Sequence, residues 1–294
     1  MSSWQPLAFG ICAGATVVTQ VAFFIVAFTL KFDKVTDLAG CANFILLALL
    51  TLLAEPEYIT VRKIVLTALV CVSRLELGSY LLYRVLKRGR DARFDEYRAR
   101  CLAFFCFWVY QMVWVFAVSA PLIFINTTRS PDPALSWVDW LGWSLFCVGL
   151  VIQVSADISK QRFRSDGANA MRVCDVGLWY FSRHPNFFGE ILMWWGVFVG
   201  GLPIFIHMPS GFATIVSPLF TMWVLLCLSG IPTAEGSNAK RWYDGGESQV
   251  CSKSFALPRH DGMTARRPSS YICDAHTHTP EWKDACLGVP HSVR

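Results

Sequence analysis

The residues best placed to do chemistry lie between positions 182 and 190, where the chain reads Ser-Arg-His-Pro-Asn-Phe-Phe-Gly-Glu. Proline is favoured at a first helical position because its missing N–H would be unpaired there anyway, so Pro185 is expected to start a helix with Arg183 and His184 just outside it. Free N–H groups and the positive end of the helix dipole, with Arg183 beside them, make an anion site. Asn186 and Glu190 are four residues apart and share a face that Met193 continues. A carboxylate inside an apolar helix costs roughly 2.5–3.5 kcal/mol on insertion scales, so Glu190 needs a partner or a task. The plainer alternative is that Arg183 and His184 are basic flank residues and Glu190 pairs with a neighbouring helix.

Three further groups carry candidate chemistry. Asp157, Lys160 and Arg164 are spaced to share one helical face, which can gather an anion or simply snorkel. Glu76 and Tyr80 fall on a stripe with Ser73 and Tyr83, and an acid beside a phenol can donate a proton to a carbonyl or form a structural network. Trp179 can stack on an aromatic ring or sit in an interfacial belt.

The elements that must position these groups are membrane helices. Of 294 residues, 54% are hydrophobic and only 16% charged, and mean hydropathy is +0.42. A soluble domain is about 25% charged. Apolar runs of 17–25 residues suit a bilayer-spanning helix. Seven are expected, at about 7–30, 38–54, 62–83, 101–125, 137–158, 187–207 and 211–231. The fold class is therefore all-α, a polytopic transmembrane helical bundle of about seven spans. The first run lacks a basic leader and a cleavage site, so it is expected to be retained. Lys and Arg cluster in 84–100 and 160–183, whereas the opposite loops hold Arg62, Lys63 and Arg129. This asymmetry predicts a cytosolic 84–100 loop and a cytosolic C-terminus. The Asn126-Thr127-Thr128 sequon falls on the lumenal side, too close to the membrane for use.

A net charge of +5 is too weak and too scattered to argue for nucleic acid, and no nucleic-acid partner is expected. The 11 cysteines lie mostly in apolar runs and read as small buried hydrophobes. Residues 244–294 lack helical or strand periodicity and are expected to form a disordered tail after a membrane domain at 1–243. Cys273, His276, His278 and Cys286 match no standard zinc spacing, and no metal is expected.

The segment SRHPNFFGEI followed by Trp194-Trp195 resembles membrane reductases related to the C-terminal half of steroid 5-alpha-reductase. More closely, it resembles the proteins grouped under the domain of unknown function 1295. Sterol reductases and isoprenylcysteine carboxyl methyltransferases are more distant relatives. Arg74, Arg84, Asp91, Arg93 and Phe94 also match the 1295 group, as does the Asp-x-x-Lys-x-x-Phe pattern at 157–163. The resemblance covers about 60–243 and is strongest at 157–201.

It implies an endoplasmic-reticulum enzyme that reduces a C=C bond of a steroid or other lipid enone with NADPH. Lys160, Arg164, Arg183, Lys240 and Arg241 would hold phosphates. Trp179, His184, Asn186 and Glu190 would complete the cofactor site, and Glu76 and Tyr80 would polarise the substrate oxygen. The implied partners are a lipid or sterol and the membrane, with no obligate protein partner. The alternatives are methyl transfer from S-adenosylmethionine and a non-catalytic membrane protein. From about residue 244 the chain departs from the family's Tyr-rich, Pro-containing ending, and on that resemblance part of the expected cofactor lid would be missing.

Overall fold

A computed structural model describes residues 4–29, 36–88, 101–129, 133–169, 172–228 and 230–231. Lys240, Arg241, Asp91, Arg93, Phe94 and the 244–294 tail lie outside these residues. Every regular element among the described residues is helical: α1 (Trp4–Thr29), α2 (Thr36–Leu53), α3 (Val61–Arg88), α4 (Cys101–Asn126), α5 (Trp137–Ser165), α6 (Pro185–His207) and α7 (Val216–Trp223). Seven helical segments are long and apolar enough to span a membrane, as expected. Helices α3 and α5 run past their apolar stretches into basic ends, because Lys, Arg and Gln are good helix formers once the hydrocarbon is left behind.

The seventh segment departs from the expected single α-helix. It begins as a 3₁₀ stretch, Pro209–Ile215, continues as α7 and ends as a π-turn, Val224–Leu228. Pro209 and Pro218 remove backbone donors. Gly211 lies so close to Phe205 that a Cβ there would come within 2.2 Å of its ring.

Helices α5 and α6 are antiparallel and form the tightest pair. A Cβ on Gly142 would lie 2.5 Å from the Gly200 nitrogen, and one on Gly189 would lie 2.5 Å from the Gly149 oxygen. Glycines seven residues apart on each helix, 142/149 and 189/196, thus let the backbones touch. The apolar core between α2, α3, α4, α5 and α6 includes Phe44, Leu66, Val118, Phe146, Met193 and Trp194. α1 packs through a narrow stripe that includes Ala8, Cys12, Thr16 and Gln20.

Helices α3 and α5 run parallel in a fixed register. Arg62 pairs with Asp139 and Tyr80 reaches the Asp157 carbonyl, and both contacts join residues 77 apart in sequence. The two ties lie 18 residues apart on each helix, about 27 Å at 1.5 Å per residue, close to the thickness of a hydrocarbon core.

Arg62 and Lys63 are corrected from loop cations to buried groups. The Arg62 Nε donates to Asp139 Oδ1 at 2.5 Å with both side chains inaccessible. The Lys63 Nζ donates to the Tyr58 and Thr128 carbonyls at 2.9 and 2.7 Å. Arg129 pairs with Glu55, and that hydrogen-bonded partner pushes its pKa further up. With these cations paired or buried, the charge asymmetry between the two ends is larger than a count of loop residues gives. Asn126 is buried, and its amide donates to Ala48, Thr51 and Thr67, which leaves no access for glycosylation.

The glycine seam gives a direct test. Gly142→Ala forces the α5 and α6 backbones apart and is expected to cost about 1–3 kcal/mol. Gly10→Ala, where a Cβ meets nothing within 4 Å, is expected to leave thermal unfolding in detergent unchanged or slightly raised. Equal effects at the two positions would refute the seam.

Candidate functional site

The polar residues singled out from sequence converge between α3, α5 and α6, in a column that runs from the middle of the bundle to its basic end. Its floor is an ion pair. Both terminal nitrogens of Arg74 donate to Glu190, at 2.9 and 2.8 Å. The Trp194 indole N–H donates to the same carboxylate at 2.8 Å. The Arg74 guanidinium also lies 5.5 Å from the ring centroids of Phe44 and Trp194. Glu190 therefore faces the bundle, as its cost in lipid requires, and both its oxygens are engaged. Sequence spacing identified the need for a partner but not Arg74, because two residues 116 apart show no periodic relation.

One turn nearer the basic end, the Asn186 amide nitrogen donates to Asp157 Oδ1 at 3.3 Å. Among the described residues, the Asn186 Oδ1 is buried without a donor, and so are Gln153 Oε1 and Glu76 Oε2. Gln153 abuts Gly189 across the seam: a Cβ on Gly189 would lie 2.8 Å from the Gln153 nitrogen. Glu76, Arg84 and Lys160 lie within electrostatic reach of Asp157. Gln153, Asp157, Lys160 and Arg164 follow helical spacing on α5, so one face of that helix lines the column from its interior to its mouth. Gln153 was not among the residues sequence reading selected. A polar residue four before Asp157 was the available signal.

At the mouth, Gly177 adopts φ +59°, a conformation that favours glycine, and opens the 3₁₀ turn Gly177–Tyr180. That turn delivers Trp179 into a buried position, where its indole N–H donates to the Ala156 carbonyl at 2.7 Å. The Lys160 Nζ sits 4.1 Å from the Trp179 ring centroid. Trp179 thus anchors the loop to α5 and positions Lys160 by a cation–π contact, rather than sitting exposed in an interfacial belt. Burial pushes the neighbouring Cys174 thiol above its ordinary range, so it packs as a neutral group.

α6 begins at Pro185 with His184 as its cap residue, as the sequence predicts. The His184 ring stacks on Phe187 with centroids 5.0 Å apart, and Arg183 is exposed beside the helix start. Arg164 donates to the Asn169 carbonyl at 2.9 Å. Tyr80 lies 3.4 Å from the Asp157 carbonyl, on the same side as Glu76. Tyr83 leaves the expected stripe: it is exposed, with Lys87 over its ring.

Seven apolar helices and a buried polar column between three of them define an integral membrane protein with a candidate ligand site. Residues 23–251 match the family described as protein of unknown function DUF1295, and the chain belongs to that family. The match extends beyond the 60–243 resemblance at both ends. No curated protein and no solved structure matches the chain.

The ion pair at the column floor makes a stability prediction. Removing one partner of a buried pair leaves an uncompensated charge and costs about 3–5 kcal/mol. Arg74→Met is therefore expected to lower thermal stability strongly, and the double variant Arg74→Met/Glu190→Met to recover most of the loss. A double variant no better than Arg74→Met would show that the pair is not coupled in this way.

Proposed function

We propose that the column binds NADPH and that the protein reduces a C=C bond conjugated to a carbonyl in a steroid or other lipid. The observation that carries this reading is the pair of buried acceptors without donors among the described residues, Asn186 Oδ1 and Gln153 Oε1. A primary carboxamide brings two N–H donors, which would pair acceptors that are otherwise costly to bury. Cations at the mouth fit the phosphates of a dinucleotide, so the residues present suit the group.

In this reading Asn186 and Gln153 accept from the ring amide. Glu190, its oxygens spent on Arg74 and Trp194, holds α6 in place instead of touching the cofactor. Lys160, Arg164 and Arg183 share the phosphates, with Trp179 setting the position of Lys160 and His184 closing the helix start. Lys240 and Arg241 are proposed to add charge from beyond the described residues. Bound NADPH supplies the hydride. Glu76 and Tyr80 serve the substrate carbonyl: one donates a hydrogen bond or proton to the oxygen while the other holds its orientation. The apolar helices offer a lipid substrate direct access from the bilayer. Because the cofactor is water-soluble, the basic end is the one that faces the cytosol, and the endoplasmic reticulum is the proposed membrane.

Titration of purified protein in detergent tests this. Lys160→Ala should lower NADPH affinity by roughly 10- to 150-fold, since a hydrogen bond to a charged group contributes about 1.5–3 kcal/mol. Asn186→Ala removes a neutral contact worth about 0.5–1.5 kcal/mol and should cost roughly 2- to 12-fold. Binding of S-adenosylmethionine but not NADPH would replace reduction by methyl transfer. Binding of neither would leave the non-catalytic reading.

A further inference from the structure

Beyond Lys160, the basic end carries a paired cationic feature of which the reading above uses only Arg164. Arg172 lies exposed in the connection between α5 and α6. A single residue, Asn169, holds it next to Arg164. The Asn169 carbonyl accepts from Arg164 Nη1 at 2.9 Å, and its side-chain Oδ1 accepts from Arg172 Nη1 at 3.1 Å. Both guanidinium carbons lie at similar distances from the Phe163 ring centroid, 5.8 and 6.0 Å. Two like charges are thus drawn to one ring and one residue.

The loop that does this is built for the purpose. Asp166 closes it by accepting from the Ala168 N–H at 3.0 Å with one oxygen and from the Asn169 amide at 3.3 Å with the other. The Arg172 N–H donates to the Asn169 carbonyl at 3.2 Å. The acid of the turn therefore fixes Asn169, whose two neutral oxygens each hold one guanidinium. A guanidinium has five N–H donors in a planar fork, and Arg172 is exposed with one of them committed to Asn169. Two guanidiniums gathered on one residue, with donors of Arg172 still open to solvent, suit a phosphate monoester, which carries about −1.5 to −2 charge at pH 7 and three acceptor oxygens.

Position along α5 says which phosphate. Gln153, Asp157, Lys160 and Arg164 line one helical face, and Gln153 is separated from Arg164 by 11 positions, about 16 Å of rise. From the interior outward the face offers carboxamide acceptors, then Lys160, then the Arg164–Arg172 pair. An extended dinucleotide presents its groups in the same order: carboxamide, pyrophosphate, then the adenosine ribose with its 2′-phosphate. We infer that Arg164 and Arg172, gathered by Asn169, read the 2′-phosphate and so select NADPH over NADH. This rests on the dinucleotide reading proposed above. Arg172 then acts as a specificity residue: it contributes to the affinity of one cofactor and is silent toward the other.

The test uses the full chain in detergent with NADPH and NADH titrated separately, on wild type, Arg172→Ala and Arg172→Lys. Arg172 is exposed, so its replacement should not perturb folding, and an unchanged thermal melt checks this. The expected result is that wild type prefers NADPH by about tenfold or more. Arg172→Ala should lose about tenfold in NADPH affinity with NADH unchanged, and Arg172→Lys should keep part of the preference. Equal weakening of both cofactors, an unchanged NADPH:NADH ratio in Arg172→Ala, or a wild type that binds both equally would overturn the assignment while leaving dinucleotide binding intact. A wild type that binds neither would overturn the dinucleotide reading and this inference with it.

Discussion

The Arg74–Glu190 ion pair is the constraint on which the rest of the site depends. A full charge on either residue is expensive in a bundle surrounded by hydrocarbon, and the pair is tolerated because its geometry is close to ideal. The guanidinium meets both carboxylate oxygens, Trp194 donates to one of them, and Phe44 and Trp194 cover the cation. The pair joins α3 to α6. Because α6 is seated backbone to backbone on α5, one contact between two helices sets the relation of three. Asn186 lies one turn from Glu190 on α6 and Glu76 lies two residues from Arg74 on α3, so the positions of both follow from the same tie.

The far end of α3 is held by a second buried pair, Arg62 with Asp139. Together with Tyr80 at the carbonyl of Asp157, it keeps α3 and α5 parallel without glycine-mediated contact. The two helices are pinned near their ends, and α6 completes the column with Asn186 and Glu190. This division of labour separates a rigid wall, the α5–α6 seam, from a wall spaced off by side chains.

Much of this was legible in the sequence because it depends on composition and local spacing. Hydropathy located the spans, Pro185 marked the start of α6, and the cost of Glu190 in lipid required it to face inward. The spacing of Asp157, Lys160 and Arg164 gave their common face. What was not legible depends on which helices are neighbours. Arg74 as the partner of Glu190, and Arg62 as the partner of Asp139, are choices made by tertiary packing. A hydropathy window counts such residues as charges without registering that they neutralise each other. The role of Trp179 was hidden for a related reason. An aromatic near a membrane end reads as interfacial until the left-handed turn at Gly177 carries it inward. The seventh segment was mistaken for a single α-helix because apolar content does not report the backbone consequences of Pro209, Gly211 and Pro218.

The central claim is that the column between α3, α5 and α6 is a cofactor site entered from the basic end. Hydrogen exchange of the purified protein, measured by mass spectrometry with and without NADPH, tests it most directly because it maps binding onto the chain without a known substrate. The account predicts that NADPH slows exchange between residues 160 and 190, with no change in α1 or in the connection between α2 and α3 at the opposite end. Protection confined to that opposite end, or saturating NADPH that leaves residues 160–190 unchanged, would contradict it.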